Sequence, residues 1–131
     1  MRLIEISINC PNARTAMQIG EKLVTARLAA CANVGTGIAS IYSWQGRIER
    51  AREFPLTMKT RAALFGEAAA AATALHPWEV PAITATEITD AASSYAEWII
   101  AETEPGPPPS DAPATAPEGR PAGAGHTPGG G

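Results

Sequence analysis

The amino-acid sequence predicts one small α+β domain over residues 1–104, and three observations predict it. Two stretches alternate in character with a period of two, the pattern of a half-buried strand. Two others carry apolar residues at spacings of three and four, which gives a helix with one core-facing stripe. From Pro105 the composition changes abruptly to proline, glycine and alanine, and apart from proline, alanine is the only hydrophobic residue left. Such a segment has little apolar surface with which to offset the entropy of ordering. Residues 105–131 are therefore expected to form a disordered tail.

In the first stretch, Leu3 to Asn9, Ile4, Ile6 and Ile8 stand on one side and Leu3, Glu5 and Ser7 on the other. Cys10-Pro11 breaks this strand, and Asn12 is a suitable N-cap for a helix beginning at Ala13. From Ala13 to about Arg27, Ala16, Ile19, Gly20, Leu23 and Val24 mark a helical stripe. Cys31 to Gly37 reads as a strand start running into a loop. Ile38 to Trp44 alternates again, with Ser40, Tyr42 and Trp44 on one face. Gln45-Gly46 is a weaker relative of the Asn-Gly hairpin turn, so the chain from Arg47 should return as an antiparallel partner. The polar start of this return predicts an arm whose distal part projects from the body. Pro55 cannot donate to a ladder and is expected at an edge or a bulge, with Leu56 and Met58 on the buried side beyond it. Arg61 to Leu75 is alanine-rich and reads as a second helix, ended by His76-Pro77. Ile83 to Ile88 is a further strand, and Ser93 or Ser94 opens a last helix bearing Tyr95, Trp98 and Ile99. Two βαβ-like halves around a central hairpin make a ferredoxin-like βαββαβ sandwich with an antiparallel sheet and a C-terminal helix.

The charge pattern excludes several functions. The net charge of −3 is spread along the chain, so no footprint for nucleic acid is expected. Arg47, Arg50 and Arg52 alternate with Glu49 and Glu53, which reads as a solvated hairpin surface. No apolar run reaches the ~20 residues that span a bilayer, and no secretory h-region follows Met1. Two cysteines without a CxxC spacing fit reduced thiols and a cytoplasmic location.

Five ordered stretches carry a resemblance. They are Cys10-Pro11, the run from Leu28 to Val34, the hairpin from Ser40 to Ile48, Met58-Lys59-Thr60, and His76-Pro77-Trp78-Glu79-Val80-Pro81. Together they resemble the CutA divalent-cation tolerance family. The resemblance implies a tight homotrimer, similar in shape to PII signalling proteins, and a role in tolerance to copper and other divalent cations. This chain departs from the family's habits where Asn12, Ala13, Arg14, Gln45 and Ala82 replace acidic residues and Thr36 replaces a frequent proline.

Copper and similar metals favour thiolate and imidazole ligands, with carboxylates as harder helpers. Cys31, His76 and Glu79 are accordingly the candidate ligands for Cu(II) or another divalent cation, singly or across a subunit boundary, with no cofactor obligatory. Each has a structural alternative. Cys31 and Cys10 suit a small buried core position, and His76 suits a helix C-terminus. Glu79, between Trp78 and Val80 in a loop bounded by prolines, has the apolar setting of a functional carboxylate. Lys59 is expected to pair with Glu79, to line the same cleft, or to bridge a subunit boundary. Tyr42, Trp44 and Trp78 either stack on a ligand or pack an interface.

No catalytic residues are assigned. Cys10-Pro11-Asn12-Ala13-Arg14 has no glycine to bring amides onto a phosphate, and nothing specifies an oxyanion hole for a Cys31–His76 pair. The alternatives to metal binding are a PII-like module that binds a small metabolite between subunits, and a trimeric scaffold that presents its tails.

Overall fold

A computed structural model of the protein describes residues 1–111. Its elements run β1 (Leu3–Cys10), α1 (Ala13–Thr25), β2 (Cys31–Val34), β3 (Ile38–Trp44), β4 (Arg47–Arg61), α2 (Phe65–Leu75), β5 (Ile83–Ile88) and α3 (Ser93–Glu102). The sheet order is β2-β4-β1-β5, antiparallel throughout, and β3 pairs with the other half of β4. Counting β2 and β3 as one interrupted strand, this is the predicted ferredoxin-like order with a third helix added.

β4 is the axis of the molecule. Its first half, Arg47 to Glu53, pairs with β3 and forms the arm. Its second half, Leu56 to Arg61, lies between β2 and β1. Pro55 sits at the change of partner, opposite the break formed by Gly35, Thr36 and Gly37. In an antiparallel ladder a residue's N–H and C=O point to the same neighbour. The Pro55 carbonyl accepts from the Gly35 N–H at 2.8 Å, so the donor that proline lacks would have faced this break. A Cβ at Gly35 would lie 2.8 Å from Pro55 Cγ, which makes glycine the residue that permits this approach. At the arm's tip Gln45 and Gly46 have φ of 50° and 78°, the two left-handed residues of a type I′ turn.

Two boundaries differ from the sequence-based expectation. α1 ends at Thr25, because Arg27 adopts φ 60° and turns the chain. The Arg27 guanidinium then donates to the carbonyls of Ala101 (2.8 Å), Glu104 (2.5 Å) and Pro107 (3.4 Å), tying the end of α3 to the end of α1. The second helix starts at Phe65 rather than Arg61, because β4 runs through Arg61 and a single 3₁₀ turn, Ala62–Leu64, intervenes. The start of α1 is as expected: the Asn12 side chain accepts the Thr15 N–H at 2.8 Å. Most of the expected tail, residues 112–131, lies outside the described residues.

The two faces of the sheet are unequal. Ile4, Ile6, Ile8, Leu56 and Met58 point to the face covered by α1 and α2, where they pack with Ala16, Ile19, Leu23, Ala68 and Ala72. Among the described residues, α3 alone covers the other face, and at one end, where Leu3, Ala30 and Ile99 form a smaller cluster with Tyr95 and Trp98 against it. Between α3 and the arm this second face presents Ser7, Thr57 and Thr84, none of them fully buried.

Candidate functional site

The second face ends, on the arm side, in a cleft. β3 and β4 register as Ile38↔Glu53, Ser40↔Ala51, Tyr42↔Glu49 and Trp44↔Arg47. Residues directly opposite share a face, so Ser40, Tyr42, Trp44, Arg47, Glu49 and Glu53 point to one side, and Ile41, Ile48, Arg50 and Arg52 to the other. Facing the first side is the loop between α2 and β5. Asn9, Ser40, Ile41, Tyr42, Trp44, Glu53, Pro77, Trp78, Glu79, Val80 and Ala82 line a cavity of about 660 Å³ between the arm and this loop, within the size range of small-ligand sites.

His76 holds the loop in place. Its ring is buried, Nε2 donates to the Asn9 carbonyl at 2.8 Å, and Nδ1 accepts the Trp78 backbone N–H at 3.2 Å. These partners select the neutral Nε2–H tautomer and occupy its one ring lone pair. The Trp78 ring lies 4.8 Å from the His76 ring at 54°. Within one chain His76 is thus a clip between β1 and the loop, and the lone pair that a metal would take is already used. Glu79 is exposed on the rim of the cleft.

Cys31 lies elsewhere. It pairs with Lys59 in the β2–β4 register, six residues along β4 from Glu53, or about 20 Å at a strand rise of roughly 3.3 Å per residue. Cys31 is buried with its Sγ 3.8 Å from the Tyr95 hydroxyl, under α3. Burial, then the Cys31 contact, pushes the Tyr95 phenol up to about 12, and its ring stacks on Trp98 at 5.6 Å. Cys31, His76 and Glu79 are therefore not brought together in one chain, and no group of three His, Cys, Asp or Glu side chains that could hold a metal occurs among the described residues. Within one chain, Lys59 likewise neither pairs with Glu79 nor lines the cleft. It leaves the cleft and pairs with Glu5 at 3.5 Å, because Glu5↔Lys59 is the antiparallel register of β1 and β4. Cys10 is fully buried on the helix-covered face. Burial, with the nearby Glu53 charge second, pushes its thiol up to about 11, which suits an inert core residue.

The residue that sequence reasoning missed is Glu53. It reads as part of a solvated arm, yet it is only 6% exposed on the cleft floor, where its Oε1 accepts from Ser40 Oγ at 2.9 Å. The signal was present in the alternation of β4, which separates Glu49 and Glu53 from Arg50 and Arg52 and sets the carboxylates beside the aromatic side chains.

The comparisons with known proteins agree with this architecture. Residues 4–102 match the model of the CutA1 divalent ion tolerance protein family. A CutA homologue from Danio rerio is 37% identical over 92 residues, covering 70% of this chain and 61% of that protein, so the chain spans about three-fifths of this relative's length. The divalent-cation tolerance protein CutA of Thermus thermophilus is 37% identical over 98 residues, covering 75% of this chain and 95% of that one. A solved Cut A1 structure from the same bacterium superposes with a TM-score of 0.76 at 35% identity, covering 78% of this chain and 99% of the other. The Archaeoglobus fulgidus structure, described as a periplasmic divalent cation tolerance protein CutA, gives 0.76 at 33% identity, with coverages of 78% and 99%. The chain belongs to the CutA1 divalent ion tolerance family.

Proposed function

We propose that this chain acts in divalent-cation tolerance as a cytoplasmic homotrimer that binds a cationic ligand in the cleft between its arm and the His76–Ala82 loop. One observation carries the reading: Glu53, a carboxylate that is only 6% exposed, lies on the floor of a cavity lined by Tyr42, Trp44 and Trp78. Its Oε1 accepts one hydrogen bond, from the Ser40 hydroxyl, and its carboxylate faces the cavity, where a cation is favourably placed.

Two features support assembly. Among the described residues nothing covers the second sheet face between α3 and the arm, and the arm exposes Ile41 (71%) and Ile48 (67%), side chains that gain by burial against another copy. Two unpaired cysteines support the cytoplasmic location. Beyond the domain, residues 105–131 serve as an appended tail on this reading. The protein works by binding, with no catalytic step assigned.

A copper ion or other divalent metal entering the cleft meets carboxylate oxygens from Glu53 and Glu79. Nitrogen or sulfur donors, Cys31 included, would have to come from a neighbouring subunit. A second reading, a metabolite-binding signalling module of the PII type, is favoured by the three aromatic rings in the cleft wall.

Light scattering combined with a thermal-shift screen of divalent metal salts and metabolites tests the proposal, using the wild-type chain and Glu53→Gln. The expected result is the mass of three chains and at least one stabilising cation whose effect disappears in the variant. A ligand at ~100 times its dissociation constant adds roughly 2.7 kcal/mol, readily seen as a shift in Tm. A monomer, or a screen with no Glu53-dependent hit, overturns it.

A further inference from the structure

The lining of the cleft narrows the class of cation, an inference that rests on the cleft being the ligand site. Alternation along the arm places Glu49 and Glu53 on the aromatic side, with Arg47 opposite Trp44 at the tip, while Arg50 and Arg52 face away. Among the described residues, no lysine or arginine lines the cavity. An anion such as a nucleotide phosphate would meet the buried Glu53 carboxylate with no lysine or arginine among the described lining residues, so this lining disfavours the phosphate-bearing ligands that a PII-like shape suggests.

A bare metal ion is also poorly served. The cavity offers oxygen donors and aromatic faces, and the His76 imidazole beside it has both ring nitrogens engaged. The aromatic rings instead suit a cation that carries its own carbon skeleton. Trp and Tyr faces attract ammonium and guanidinium groups through the ring quadrupole and at the same time bury alkyl surface. Only Oε1 of Glu53 has a hydrogen-bond partner among the described residues, which leaves Oε2 for a charge-assisted bond to an N–H-bearing headgroup or for direct Coulomb attraction to a quaternary one. A volume of about 660 Å³ accommodates a molecule of several carbons rather than a single hydrated ion.

We infer that the cleft binds a small organic cation, an alkylammonium or guanidinium compound, with its charged head on Glu53 and its body against Trp44 and Trp78. The test is calorimetry at low ionic strength on the full chain with three probes: choline, agmatine, and 3,3-dimethylbutan-1-ol, the uncharged isostere of choline. At least one cation should bind saturably. The uncharged alcohol should bind at least tenfold more weakly than choline where choline is the binder. Glu53→Gln should weaken binding at least tenfold. Trp44→Ala, at a side chain already 41% exposed and so safe for folding, should weaken it severalfold.

No binding of either cation overturns the inference. So does equal binding of choline and its uncharged isostere, or affinity indifferent to both substitutions. A chain that is stabilised by copper(II) through Glu53 but ignores all three probes also sinks this inference, while leaving the cleft as the cation site.

Discussion

The two faces of the sheet were built under different demands. On the helix-covered face the inward residues of β1 and the second half of β4 are closed off and, apart from the buried Thr60, apolar: Ile6, Ile8, Leu56 and Met58 are each at most 1% exposed. On the other face, α3 closes one end, the middle is left to small hydroxylated residues, and the far end opens into the Glu53 cleft. The first face stabilises the fold, and the second holds the polar and aromatic groups that a ligand or another subunit can use. A carboxylate can persist on the cleft floor because the hydrophobic stabilisation is concentrated on the opposite side of the strands that carry it.

That contrast can be broken most severely from the covered side. Leu56→Ala removes a fully buried side chain among Ile6, Ile8 and α1 and should cost about 2–5 kcal/mol in urea unfolding. Alkaline pH probes the same face through Cys10. Its folded-state pKa of about 11 lies above the ordinary 9.0, so the folded chain holds the thiol proton where the unfolded chain releases it. The associated stability is fully present below pH 9 and is lost as pH rises from 9 towards 11, by up to about 2–3 kcal/mol. Urea midpoints at pH 7.5 and 10.5 should fall with this slope in the wild type and with a shallower one in Cys10→Ala.

His76→Ala sits between the two faces. It removes the hydrogen bond to Asn9 and the acceptor for the Trp78 N–H, and should cost about 1–3 kcal/mol. It should also loosen the loop, so ligand affinity falls together with stability. A ligand role for the imidazole predicts a different outcome, lost metal binding at unchanged stability. The smallest effect on folding belongs to the arm. Ile48→Ser, at a side chain 67% exposed, should change the stability of a single chain by no more than about 0.5 kcal/mol while shifting the assembled mass in light scattering towards monomer.

Much of the covered face was legible in the sequence, because burial there writes itself as periodicity. Ile4, Ile6 and Ile8 give the β1 register, and Ala16, Ile19 and Leu23 give the core stripe of α1. The cap at Asn12 and the turn at Gln45-Gly46 are local chemistry and were readable for that reason. The start of α2 was not, since alanine favours helix but the ladder with β1 carries β4 through Arg61 first. The open face was less legible. Glu53 looks like a surface residue until alternation sorts the arm's charges. The separation of Cys31 from Glu79 and the capture of Lys59 by Glu5 depend on strand registers that no local pattern states. Tyr42 and Trp44 line one cavity with Trp78, which is far from them in sequence.

The protein's three tryptophans allow the central claim to be tested directly. Trp44 and Trp78 line the cleft, whereas Trp98 stacks on Tyr95 near Cys31 at the far end of the same face. Their indole N–H signals in a ¹⁵N-labelled sample can be followed as copper(II) and choline are added in turn. The account predicts that at least one of these cations shifts or broadens the Trp44 and Trp78 signals, leaves Trp98 untouched, and loses its effect in Glu53→Gln. A response confined to Trp98 would place the site at Cys31 and Tyr95, and silence at all three indoles would remove the cleft as a cation site.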